Sequence, residues 1–177
     1  MEFLQPLLSG VRVVLLDRFD DDRGSFVKTY SRSAFGDNGL EFDFREEFYS
    51  FSKKGVIRGM HFQTPPHHHD KIVYCAAGAV LDVLLDLRPG ADYGRAASIV
   101  LEAARPHLIF IPSGVAHGFK SLEEHSLMIY KTSTQHAPSH DAGVKWDSFG
   151  FDWGINSPTI SKRDVSHPSF FEYQSAF

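Results

Sequence analysis

Gly78-Ala79-Val80-Leu81-Asp82-Val83-Leu84-Leu85-Asp86-Leu87-Arg88-Pro89-Gly90 reads as a strand over residues 80–87, with turn residues closing it at both ends. Side chains alternate across a strand, so Asp82 and Asp86, four apart, share one face. We expect that face to line the hollow of a barrel. Similar short runs lie on both sides of it. Upstream are Val11–Leu16, Ser25–Tyr30 and Lys71–Cys75; downstream are Ser98–Leu101, Leu108–Ile111 and Leu127–Lys131. Turn-forming stretches punctuate them: Asp20-Asp21-Asp22-Arg23-Gly24, Pro106 and Pro112-Ser113-Gly114. Ser31 to Phe35 reads as one serine-capped helical turn. Sixteen phenylalanines and six tyrosines suit pleated surfaces. Together these signals predict an all-β sandwich, barrel or jelly roll with short peripheral helices, in one domain over residues 1–177. The tail, with Trp146, Phe149, Phe151 and Trp153, is expected to cross the barrel mouth.

The 177 residues carry a formal net charge of −4, and Lys53-Lys54 is only a pair, which argues against a nucleic-acid partner. Cys75 is the single cysteine, so no disulfide staples the chain, as expected of a reducing cytoplasm. Met1–Pro6 lacks the basic start of a signal peptide, and no apolar run approaches the ~18 residues of a membrane span.

Three segments hold more polar groups than packing needs. They are Arg58-Gly59-Met60-His61-Phe62-Gln63 with the following Pro65–Lys71, then Ile111–Phe119, and Tyr130-Lys131 with the distant Ser161-Lys162-Arg163-Asp164. Pro112-x-Gly114-x-x-His117 resembles the second cupin motif. His67-x-His69 resembles the metal-binding half of the first, but the glutamate that should follow is replaced by Val73, Tyr74 and Cys75. A zinc, iron or manganese site normally includes a carboxylate, so no metal is expected, and His67–His69 read as a solvated loop.

Asp22-Arg23-Gly24-Ser25-Phe26, Val56–Gln63, Lys71, Gly78, Asp82-Val83, Asp86-Leu87-Arg88, Ala116–Phe119, Tyr130-Lys131 and Ser161-x-x-Asp164 occur in that order. The ordered set resembles the dTDP-4-dehydrorhamnose 3,5-epimerase family from about Arg12 to about Phe170. The resemblance implies a cofactor-free, cytoplasmic cupin jelly roll, usually a homodimer. Its reaction inverts carbons beside the 4-ketone of a nucleotide-diphosphate sugar. Such a reaction needs a base near neutrality, an acid across the ring and a cation beside the enolate oxygen. By resemblance His61 is the base, Asp164 orients it, Tyr130 is the acid and Lys71 the cation. Arg23, Arg58 and His117 match residues that grip a diphosphate. Phe26, Lys28, Glu46, Phe48, Gln63 and His136 complete the implied substrate-binding set.

Four of those positions depart from the family pattern. Glu46 and Phe48 replace a Gln-x-Asn pair, Lys28 a glutamate and His136 a tyrosine. The substitutions leave open whether the nucleotide is dTDP, CDP or GDP, and whether C3, C5 or both are inverted. A cupin that only binds a nucleotide sugar, a 3,4-ketoisomerase, and a metal-dependent cupin using His67, His69 and His117 remain the competing readings.

Overall fold

A computed structural model describes all 177 residues. Two antiparallel sheets face each other. The larger runs β1 (Glu2–Phe3), β2 (Arg12–Leu15), β10 (His107–Ile111), β7 (Lys71–Ala77), β12 (Ser126–Thr132) and β5 (Glu46–Ser52). The smaller runs β13 (Asp141–Gly143), β6 (Ile57–Gln63), β11 (Val115–Ser121), β8 (Ala79–Asp86) and β9 (Ala96–Glu102). The expected all-β jelly roll is what forms. Two short helices, α1 (Arg32–Gly36) and α2 (Lys162–Val165), lie at its periphery.

Three apolar clusters follow from strand alternation. Val73, Val80, Leu84, Ile109, Phe119, Met128 and their neighbours fill the space between the sheets. Leu85, Val83, Met60, Phe62 and Ala116 face outward from the smaller sheet, where Trp153 and partly buried Trp146, Phe149 and Phe151 cover them. The aromatic tail therefore roofs the outer face of this sheet instead of crossing the mouth. That face presents an apolar surface that water would otherwise cover. Phe35 of α1, with Leu40 and Phe42, covers the outer face of the larger sheet at Ile72, Leu108 and Phe110. On β8, Asp82 and Asp86 share the inner face with Val80 and Leu84, and both are buried.

Several local readings change. The second strand is shorter, β4 (Gly24–Val27), and pairs with β3 (Arg18–Asp21) in a separate hairpin. Ser31 occupies the N-cap of α1 but makes no side-chain cap; its hydroxyl meets Ser33 Oγ at 3.1 Å. Strands β5, β6 and β11 occupy segments that had been read only as chemistry.

Strand β6 shows why it escaped notice. His117 of β11 pairs with His61, yet Phe119 pairs with Arg58, so Gly59 and Met60 together oppose Gly118. This bulge inverts the alternation. Ile57 and Met60 both pack on the outer cluster, while Arg58 and His61 both reach the inner cavity. Gly59 has φ 132°, and a Cβ there would lie 2.5 Å from Gly118 Cα. Only glycine fits. Gly59→Ala is expected to cost about 2 kcal/mol or more, because backbone, not a mobile side chain, must give way. Thermal unfolding would show the loss, and an unchanged midpoint would refute the role assigned to the bulge.

Candidate active site

Between the sheets lies a cavity of about 390 Å³, within the usual range for small-ligand sites. Strand β6 contributes Arg58, His61 and Gln63; β7 contributes Lys71; β11 contributes His117; β12 contributes Tyr130; β5 contributes Glu46, Phe48 and Ser50. His136 lines the wall on the loop after β12.

At the centre His61 Nε2 meets Asp164 Oδ1 at 2.8 Å, across 103 residues of sequence. The Ser161 hydroxyl accepts from the Asp164 N–H at 3.1 Å, capping α2 and fixing the carboxylate's approach. Asp164 Oδ2 accepts from the Gly59 N–H at 3.2 Å, tying it to the bulge. Burial is the largest single influence on Asp164 and acts to raise its pKa. Its bonds to His61, Gly59 and Ser161, with the His61 charge, outweigh that and bring it to about 2. For His61 burial prevails: it lowers the pKa below the ordinary 6.5 although Asp164 pulls the other way. The ring is therefore neutral at pH 7. Because Nε2 is held by Asp164, Nδ1 is the nitrogen left to act on a ligand.

Lys71 is buried and donates from Nζ to the His61 carbonyl at 3.1 Å. Burial pushes its pKa down to about 8, against the pull of Asp141 and Asp82. It remains mostly charged at neutral pH. Tyr130 Oη bonds Ser50 Oγ at 3.0 Å, and its ring lies flat on Phe48 with centroids 4.8 Å apart. Burial raises its pKa, so the phenol keeps its proton.

His117 Nε2 meets Asp82 at 2.7 Å in a fully buried pair. Arg58 donates from Nε to Ser52 Oγ at 3.0 Å and from Nη2 to the Phe51 carbonyl at 3.2 Å. Gln63 is a stitch for the wall: Nε2 donates to the His67 carbonyl at 2.7 Å, and Oε1 accepts from the Ala137 N–H at 2.6 Å. Glu46 accepts from the His136 N–H at 2.7 Å.

Arg23, Phe26 and Lys28 do not join them. Arg23 sits exposed in the β3–β4 turn and pairs with Asp21 at 2.5 Å. Phe26 is 61 % exposed on β4, and Lys28 follows that strand, outside the cavity lining. The solvated-loop reading also needs correction. His67 and His68 are exposed, but His69 turns inward to Gln63 and Thr134, and burial lowers its pKa to about 3. The His67–His69–His117 set does not assemble, since His67 lies tilted against His140, with ring centroids 4.6 Å apart, and His117 is held by Asp82.

Sequence reading missed Ser50, His69, Thr132, Asp141 and Arg163 in the lining. Asp141 and Arg163 pair at 2.9 Å across the rim. Ser50 was within reach of a strand reading, because it shares a face with Phe48. Asp141 carries no local signal, whereas Arg163 lies in the polar segment Ser161–Asp164, where only Asp164 was given a role.

Residues 6–172 match the model of the dTDP-4-dehydrorhamnose 3,5-epimerase family. The chain belongs to that family. Escherichia coli K12 dTDP-4-dehydrorhamnose 3,5-epimerase is 37 % identical over 164 residues, 90 % of this chain and 89 % of that one. The Bacillus anthracis epimerase, solved with TDP and pyrophosphate bound, superposes with a TM-score of 0.91 at 29 % identity. That match covers 95 % of this chain and 98 % of the other. A 3'-monoepimerase from Streptomyces bikiniensis, solved with dTDP-quinovose, gives 0.86 at 26 % identity, covering 93 % and 87 %. This family member is thus an isomerase: it inverts C3, C5 or both in a nucleotide-linked 4-keto-6-deoxy sugar, a step of deoxysugar biosynthesis.

Proposed function

We propose that His61 Nδ1 removes the proton α to the sugar's C4 ketone and Tyr130 returns one from the opposite face. Lys71 holds the enolate oxygen. One observation carries the reading: the His61–Asp164 pair, the Lys71 ammonium and the protonated Tyr130 phenol all converge on one cavity. A neutral imidazole is a competent base, and a carboxylate on its far nitrogen stabilises the imidazolium that forms. Proton inventory balances over one inversion. His61 gains the proton lost by carbon, Tyr130 loses the one carbon receives, and both reset by exchange with solvent.

The nucleotide in this reading is thymidine diphosphate, in line with the names and ligands of the three relatives above. Proton NMR in D₂O with dTDP-, CDP- and GDP-linked 4-keto-6-deoxy sugars tests it. Loss of the C3 or C5 signal is expected with the dTDP sugar; exchange only with another nucleotide, or none at all, would overturn it. A pure binding protein would bind without exchange, and a 3,4-ketoisomerase would move the carbonyl. We also assign the enzyme to the cytoplasm, on the strength of its reduced single cysteine and its nucleotide-sugar substrate.

The working unit we propose is a homodimer. Phe19 and Phe26 stand 62 % and 61 % exposed on the β3–β4 hairpin, and Tyr49 and Phe51 are exposed on the edge strand β5. Exposed aromatic surface of this extent favours a partner. A second copy would bury it and put Arg23, Phe26 and Lys28 to use beside its cavity. Phe19→Ser with Phe26→Ser should leave the fold intact, yield monomers by light scattering and lower kcat/KM about tenfold or more. A monomeric wild type would refute the dimer.

A further inference from the structure

His167 follows α2 and turns back beneath β13, so closely that a Cβ on Gly143 would lie 2.5 Å from its Nε2. Its ring stands edge-on to His61, with centroids 5.8 Å apart and 72° between planes. Nε2 is buried and has no hydrogen-bond partner. It faces Asp164 Oδ1 at 3.8 Å, the same oxygen that meets His61 Nε2 at 2.8 Å. Two imidazole nitrogens and one carboxylate oxygen thus lie within 4.8 Å of one another. It is the single place in the chain where three such groups converge.

The base needs one carboxylate to orient it, and Asp164 already serves. The second imidazole has no part in the proposed proton transfer, yet its buried nitrogen lacks a partner, a lack that a ligand in the gap would relieve. Two neutral imidazoles with a carboxylate are a zinc donor set. Tetrahedral zinc with bonds near 2.0 Å places its donors about 3.3 Å apart. The observed 2.8 and 3.8 Å each sit about 0.5 Å from that value, within side-chain adjustment.

We propose that His61, Asp164 and His167 form a binding site for a zinc-class divalent cation, and that filling it switches the base off. A neutral imidazole that coordinates through Nε2 carries its hydrogen on Nδ1. That is the nitrogen that must be bare to take the sugar's proton. Zinc displaces the hydrogen bond to Asp164, the ring changes tautomer, and no net proton or electron is exchanged. The inhibition rests on His61 being the base, whereas the binding does not.

The test uses the full-length protein, freed of metal with EDTA. Zn²⁺ is titrated against a chromophoric chelator, and Co²⁺ is followed by visible absorption. Wild type is expected to take one Zn²⁺ per chain, with a Kd of roughly 1 μM or tighter. His167→Gln and His167→Phe, the second keeping ring packing on His61, should each weaken binding by about tenfold or more. Both should turn over normally in EDTA and lose zinc inhibition. His68→Ala, in the exposed histidine loop, should behave as wild type. Equal zinc affinity in wild type and both His167 variants, or loss of binding in His68→Ala, would overturn the site. So would the absence of stoichiometric binding at roughly 100 μM Zn²⁺. If His167 governs binding while activity is missing altogether, the epimerase reading fails and the metal site stands.

Discussion

His61→Asn is expected to lower turnover by about 10³-fold while the Kd for the nucleotide sugar stays within about threefold. Asparagine keeps the polar contact toward Asp164 and nearly fills the space, but has no lone pair that can take a carbon-bound proton. The loss should therefore fall on kcat, and incorporation of solvent deuterium at C3 or C5 should stop. Wild type adds a pH signature. Burial holds the His61 pKa below 6.5, so the base is neutral through pH 7, and activity should fall only as pH drops through that lowered value. A kcat/KM acid limb centred above 6.5 would contradict the burial argument. Normal exchange in the variant would remove His61 from the mechanism.

Much of this was legible in the chain for a physical reason. Strand alternation puts Asp82 and Asp86 on one inner face, and there they lie. Punctuation by turn residues located seven of the strands. What escaped depends on relations that alternation does not encode. The β6 bulge sends Arg58 and His61 to the same side although they differ by three positions, so a period-2 reading of that segment fails. The destination of the aromatic tail depended on which sheet face lacked cover, a property of the assembled barrel and not of the tail. His69 became a wall residue because Gln63 at the end of β6 and Thr134 on the loop after β12 reach it. Arg23 and Phe26 sit in a stretch that matched in order, with the departing Lys28 two places on, but order along a chain does not place a hairpin beside a cavity.

The same cavity explains why the most polar part of the interior is maintained against its own cost. Asp82 and Lys71 are both buried, and burial acts against the charged form of each. Neither is needed to close the apolar cluster around Leu84 and Phe119. Charged groups held where the fold would be more stable without them are a mark of a site that must meet developing charge.

Lys71→Met turns that conflict into a measurement with opposite signs. Turnover should fall by about 10²- to 10³-fold, the usual scale for removing one enolate-stabilising donor from a dry site. Stability should rise. With a folded pKa of about 8 against 10.5 in the unfolded chain, the buried ammonium costs about 3 kcal/mol at pH 7. Methionine fills a similar volume but strands the His61 carbonyl and leaves Asp82 and Asp141 less compensated, which returns part of the gain. A net increase of about 1 kcal/mol, or about 3 °C in Tm, is expected. The sign also fixes the pH window. Below pH 8 Lys71 is charged in both states, so wild type bears the full cost and the variant's advantage is greatest. Between 8 and 10.5 only the unfolded chain binds the proton, so wild-type stability from this group rises with pH and the advantage fades. Paired kcat and Tm curves for the two proteins from pH 6 to pH 10 test both halves. A variant that loses activity and stability together would make Lys71 a structural anchor; one that loses neither would take it out of the site.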